Sequence, residues 1–254
     1  MNIYFKATKK DIALFYAVFL GTCALFMVVS VLYAVCFGVP KFVNNNFTYT
    51  SSLNVQNKSF KTVIIDAGHG GIDVGGSSSS GIHEKDINLN ISNYLCCLLR
   101  LSDFDVVMTR SEDKLLNNEN QQNRKKYYDL LNRVDIANNT PESIFVSIHQ
   151  NIFKGAKCSG FQVYYSKNNK DSASLAKCMQ NSVVKLLQPD NKRTVKPSGT
   201  EIFVLHRISR PAVLAECGFL SNQDEAKLLN TSEYQKKLAL VILDGILNYI
   251  SSEN

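Results

Sequence analysis

The sequence predicts an α/β fold: a single, mostly parallel sheet flanked by helices, preceded by one transmembrane helix. Three observations carry this expectation. Short β-branched runs alternate with stretches of helical period across residues 61–254, a glycine-rich loop follows the first of those runs, and residues 12–39 carry no charged side chain.

From the N-terminus, residues 1–11 form a short cytoplasmic segment in this reading. The charge-free run 12–39 exceeds the roughly 20 apolar residues that a helix needs to cross the hydrocarbon. Lys6, Lys9 and Lys10 precede it against one acid, Asp11. By the positive-inside rule the N-terminus stays inside and the chain beyond Pro40 is exported, leaving a membrane-anchored protein whose main domain lies outside the cytoplasmic membrane. A cleaved signal peptide is the rival reading, but its apolar region is usually about 7–15 residues and Ala34-Val35-Cys36 makes a poor cleavage site. Residues 40–60, with Asn44-Asn45-Asn46 and Ser51-Ser52, read as a polar linker. Residues 61–254 are the right size for one domain.

Within that domain Thr62–Asp66 reads as a strand running into Ala67-Gly68-His69-Gly70-Gly71, a loop. Apolar residues at Ile87, Ile91, Leu95, Leu98 and Leu99 give helical spacing over residues 84–101. Residues 105–109 read as a strand, 127–138 as a helix, 143–148 and 161–165 as strands, and 172–187 as a helix stopped by Pro189. Residues 202–205 and 212–215 read as two further strands, and 238–250 as a closing helix. Strands separated by helical patterns argue for a mostly parallel sheet covered on both faces.

Composition narrows the function classes. The chain of 254 residues has 28 Lys+Arg, 22 Asp+Glu and 45% hydrophobic residues, which excludes wholesale disorder and a polytopic membrane protein. Its formal charge of +6 is scattered, with no basic tract to argue for nucleic acid. Cys96, Cys97, Cys158, Cys178 and Cys217 are odd in number and show no Cys-x-x-Cys, so no disulfide framework is indicated.

In a parallel sheet, ligands sit beyond the carboxyl ends of the strands. His69 lies just past the first strand, His149 just past the third, Glu216 ends the strand beginning near Pro211, and Glu84 opens the helix returning from the same edge. Two imidazoles and a carboxylate are a usual catalytic zinc set, leaving a position for water, and a second carboxylate nearby can move protons. His69, Glu84 and His149 can supply the ligands and Glu216 the acid/base. Blander roles exist for each. A strand-end His can be a hydrogen-bonded surface group, and a Glu at a helix start is favoured by the macrodipole alone. Glu216 can pair with a Lys or Arg, and Asp66 can satisfy backbone donors in the glycine loop. His83 and His206 compete as ligands, His206 because it follows an expected strand.

Four stretches also resemble a known family. Ile65-Asp66-Ala67-Gly68-His69-Gly70-Gly71-Ile72-Asp73 is similar to the opening motif of the zinc-dependent N-acetylmuramoyl-L-alanine amidases (amidase type 3). Gly81-Ile82-His83-Glu84-Lys85 resembles their second motif, Ser147-Ile148-His149-Gln150-Asn151 their third, and Pro211 through Asn222 their fourth. The resemblance spans about residues 61–250 with the motifs in order. It departs at Ala67, where many members have Pro, at the Ser77–Ser80 run, and at Cys217. Arg193-Thr194-Val195-Lys196 resembles a further family segment that shapes the substrate groove.

The resemblance implies that His69, Glu84 and His149 bind Zn2+ and that Glu216 is the catalytic carboxylate. It implies hydrolysis of the amide joining the muramic acid lactyl group to L-alanine of peptidoglycan stem peptides. The layout is similar to the germination-specific, spore-cortex amidases, whose product feeds muramic-δ-lactam formation, and it allows an accessory protein that stabilises zinc binding. The expected partners are therefore peptidoglycan, the membrane through the N-terminal helix, and that accessory protein, with no nucleic acid. A general cell-wall hydrolase, a zinc peptidase acting within the stem peptide and a catalytically silent peptidoglycan-binding module are the alternatives.

Overall fold

The computed structural model describes residues 60–117, 123–153 and 158–252. Strand β1 (Thr62–Ala67) leads through the glycine loop to helix α1 (Glu84–Leu101), strand β2 (Asp105–Met108) and helix α2 (Lys125–Asn139). Strands β3 (Ser143–Asn151) and β4 (Gln162–Tyr165), helix α3 (Ser172–Leu186) and the two-residue strand β5 (Lys196–Pro197) follow. Helix α4 (Phe203–Arg207), strand β6 (Ala212–Phe219), and helices α5 (Gln223–Leu229) and α6 (Ser232–Ser252) complete the chain.

The strands form one sheet in the order β2-β1-β3-β6-β4-β5. Pairings β1–β2, β1–β3, β3–β6 and β4–β5 are parallel, while β4 runs antiparallel to β6. The expected α/β class and mostly parallel sheet are thus observed. Side chains alternate across the sheet, so each strand contributes to two cores. Val63, Ile65, Val146, Ile148, Val213 and Ala215 pack with Ile87, Ile91 and Leu95 of α1, Met179 of α3 and Ile242 and Ile246 of α6. On the other face Ile64, Phe145, Ala212 and Leu214 pack with Val134 and Ala137 of α2 and Val204 and Leu205 of α4. Helix α1 forms where expected: its apolar stripe is buried, Glu84 and Asp86 sit in the first turn and Arg100 in the last, the charge order a helix dipole favours.

Two expectations for the domain change. Residues 202–205, expected as a strand, become the start of α4, because consecutive Val204 and Leu205 are both buried rather than alternating, and a short apolar run does not fix its own period. Helix α5 was not anticipated; Asn222 caps it, accepting from the Asp224 and Glu225 N–H groups.

The membrane expectations are also corrected. Among the described residues no helix is long and apolar enough to cross a membrane. The longest, α6, carries Glu233, Lys236, Lys237 and Asp244, and its apolar face is used up against the sheet-covering helices. The run 12–39, where the anchor was expected, lies outside the described residues, as does the linker 40–60 up to its last residue, Phe60. A charge-free run satisfies only the length condition for spanning. The transmembrane helix, the membrane as partner and the membrane-anchored location therefore drop out of the description.

Candidate metal centre

The site is built at the carboxyl edge of the sheet. Residues two apart on a strand share a face, so Ser147 and His149 of β3 project to the same side as Phe145, and Glu216 of β6 to the same side as Leu214. His149 and Glu216 are register partners across the β3–β6 pair. Beyond His149 the register shifts, an irregularity of the kind common beside functional sites. His69 follows β1 directly and occupies the left-handed region, φ 61°. Glu84 enters from the first turn of α1.

Glu84 joins the two imidazoles. Its Oε1 lies 2.9 Å from His149 Nδ1 and its Oε2 3.3 Å from His69 Nε2. One donor atom from each of the three residues lies within 4.8 Å of the others. The His69 and His149 rings meet edge to face with centroids 4.9 Å apart. Main-chain donors fix the carboxylate: the Gly76 N–H donates to Oε2 at 2.7 Å and the Gln150 N–H to Oε1 at 3.0 Å. Asn88 bridges, donating to the Gly68 carbonyl at 3.2 Å while its own Oδ1 accepts from Gln150 at 3.1 Å. Two glycines make room. A Cβ on Gly68 would collide with the His149 ring, and one on Gly75, where φ is +67°, would sit 2.6 Å from Glu84 Oε2.

This donor set fits zinc. Two imidazoles and one carboxylate leave a position for water, and Asp73 Oδ2, 2.9 Å from His69 Nδ1, is the carboxylate partner that orients a metal-binding histidine. The same groups are coupled electrostatically. Burial alone would depress the His69 imidazolium, but hydrogen bonds to Asp73 and Glu84 raise it to about 9. Burial opposes ionisation of Glu84, yet His149 and His69 hold its carboxyl far below the usual range. Metal binding here would displace the His69 proton, leaving the Glu84 and Asp73 carboxylates to balance the ion.

Glu216 stands apart from that balance. Its Oε2 is buried and, among the described residues, has no hydrogen-bond partner. Burial pushes its carboxyl up to about 7; His149 and His69 pull it down, and Glu84 pushes it up. A carboxyl in that range can both take and return a proton near neutral pH. A cavity of about 220 Å³ adjoins the centre, lined by His69, His149, Leu130, Ile202, Phe203 and Leu214 among others.

The competing histidines lie elsewhere. His83 Nδ1 is 2.9 Å from the Ser77 hydroxyl, and His206 is exposed on α4. Arg193 stacks on Phe219 at 4.5 Å and donates to the Ser159 carbonyl and to Gln162, the register partner of Glu216.

Residue-by-residue reading missed the support beneath the site. Asp66 accepts from Thr109 Oγ1 at 2.8 Å, from Ser147 Oγ at 2.6 Å and from Arg133. Burial opposes its ionisation, but Arg133 and those hydroxyls keep its carboxyl below the usual range. Arg133 also pairs with Asp129 at 2.8 Å and donates to the Ala67 and His69 carbonyls. One signal was present: Asp129 and Arg133, four apart, interrupt the face that carries Leu130, Val134 and Ala137.

Comparison with known proteins agrees with this geometry. Residues 63–248 match the family described as N-acetylmuramoyl-L-alanine amidase. The germination-specific N-acetylmuramoyl-L-alanine amidase of Bacillus subtilis (strain 168) is 33% identical over 197 residues, covering 77% of this chain and 82% of that protein. The CwlD amidase from Clostridioides difficile, solved in complex with the GerS lipoprotein, superposes with a TM-score of 0.72 at 43% identity, covering 76% of this chain and 99% of that one. An N-acetylmuramoyl-L-alanine amidase from Clostridium difficile 630 gives a TM-score of 0.66 at 33% identity, covering 77% and 100%. With its zinc-competent His69–Glu84–His149 cluster at the sheet edge, the chain belongs to the zinc-dependent N-acetylmuramoyl-L-alanine amidase family.

Proposed function

We propose that this protein hydrolyses the amide between the muramic lactyl group and L-alanine of peptidoglycan stem peptides, and that it does so in spore cortex maturation, upstream of muramic-δ-lactam formation. Residues 61–254 serve as the catalytic domain, His69, Glu84 and His149 as zinc ligands, and Glu216 as the catalytic carboxylate. The observation that carries this reading is the register pairing of His149 with Glu216, a carboxylate whose buried Oε2 has no partner among the described residues, beside the ligand cluster.

Zinc, when bound, polarises the scissile carbonyl and acidifies the attacking water. Glu216 takes the proton from that water and returns it to the departing alanine nitrogen, which leaves as an amine. Asp73 holds the His69 ring in place throughout. Ile202, Phe203 and Leu130 wall the adjoining cavity.

The cortex role is supported by the likeness to an amidase named as germination-specific. The solved complex of a related amidase with a lipoprotein supports an accessory partner here too. The test is a digest of purified peptidoglycan with and without chelator. Free muramic lactyl groups with new L-alanine amino termini, lost on chelation, are expected; new termini at other residues, or none, sink the reading. Spores lacking the protein should lack muramic-δ-lactam, and a normal lactam content sinks the cortex assignment.

A further inference from the structure

Beneath the metal centre lie two almost fully buried arginines, Arg133 and Arg110. Arg133 is matched by the carboxylates of Asp66 and Asp129. Arg110 is matched differently: among the described residues its four hydrogen bonds all go to main-chain carbonyls. Nε donates to Ala67 O at 2.8 Å, Nη2 to Gly68 O at 3.0 Å and to Lys85 O at 2.8 Å, and Nη1 to Glu112 O at 3.1 Å. Burying a cation against neutral acceptors is costly, and an apolar side chain of similar volume would fill the same space without that cost. The guanidinium is therefore better explained by what it connects.

Ala67 and Gly68 immediately precede His69, and Lys85 immediately follows Glu84. One rigid fork thus grips the peptide groups beside two of the three ligand residues, which come from different segments of the chain. The His69 turn needs such a restraint, because a non-glycine residue at φ 61° is held there only by its surroundings. Resting on the metal-centre reading above, we propose that Arg110 is a positioning residue for that centre, locking the His69 turn to the start of α1 so that the two ligands are correctly spaced before the ion arrives.

Arg110→Lys keeps the charge but loses the planar fork, since an ammonium cannot reproduce the two-directional donor geometry. Arg110→Met removes charge and fork while keeping bulk. Zinc dissociation constants are measured by competition with a chromophoric chelator, alongside unfolding curves of the metal-free proteins. The folded Arg110→Lys protein should bind zinc about 10–100-fold more weakly, the range typical for lost outer-shell support, with KM little changed at saturating zinc. Zinc affinity in that variant equal to that of the unaltered chain overturns the proposal. If the Lys variant does not fold, Arg110→Met decides by the same comparison, and failure of both to fold assigns Arg110 to folding and overturns the proposal too. An unaltered chain that binds no zinc rejects the metal centre itself, an outcome distinct from equal binding.

Discussion

In the proposed mechanism His69, Glu84, His149 and Glu216 divide two tasks between them, and substitutions separate the tasks. Glu216→Gln keeps the size of the side chain but cannot take a proton. It is expected to retain zinc and lose about 10²–10⁴-fold in rate. Metal analysis together with the amide-cleavage assay checks this, and full activity would remove Glu216 from the chemistry. His149→Ala should instead lose the metal, so unchanged zinc content would strike it from the ligand set. These four residues were legible because each has reactive chemistry and a strand end or helix start to mark it. Asp73, Asn88 and Gln150 were not, because their contribution is a hydrogen bond to another side chain, and sequence spacing does not encode which partner a loop carboxylate or an amide on a helix or strand meets.

Among the elements, α1 was readable from the period of its buried stripe and β3 from its short run of Ile144, Val146 and Ile148. The reversal of β4 and the conversion of residues 202–205 into α4 were not. Both are decided by what the rest of the sheet leaves uncovered. The reversal matters to the site: it puts Gln162, at the start of β4, opposite Glu216, where a parallel strand would have put its end. The link between α2 and β1 carries two predictions. Arg133→Met leaves Asp66 and Asp129 buried without their cation and should cost about 3–5 kcal/mol, measured by denaturant unfolding; a loss near zero would show that the carboxylates find other partners. Asp66→Asn tests the same link through pH. The Asp66 carboxyl is held below its unfolded value, so its stabilisation is present above about pH 4 and fades as pH falls further. The unaltered protein should thus exceed Asp66→Asn in stability at neutral pH, and the two unfolding curves should converge in acid. A gap that is independent of pH would contradict this.

At the scale of the whole molecule, the three ligands tie together chain segments from the end of β1 to the end of β3. Zinc binding is therefore expected to stabilise the fold, by about 2.7 kcal/mol at a free concentration 100 times its dissociation constant. Thermal unfolding with zinc, and again with chelator, measures this; coincident curves would mean that the ion is not held by the folded state. The architecture itself was legible because alternating strand and helix periods leave few ways to bury both faces of a sheet. Whether the chain meets a membrane was not, since hydropathy states only what a run is able to span. The strand order has one more consequence. The three proposed zinc ligands, His69 after β1, Glu84 on α1 and His149 on β3, all precede residue 152, whereas Glu216 arrives on β6, in the last third of the chain. Cargo and turnover therefore have separate addresses along the gene. Damage confined to the later address would yield molecules that are fully charged yet idle, so a measure of metal content would overcount the working population.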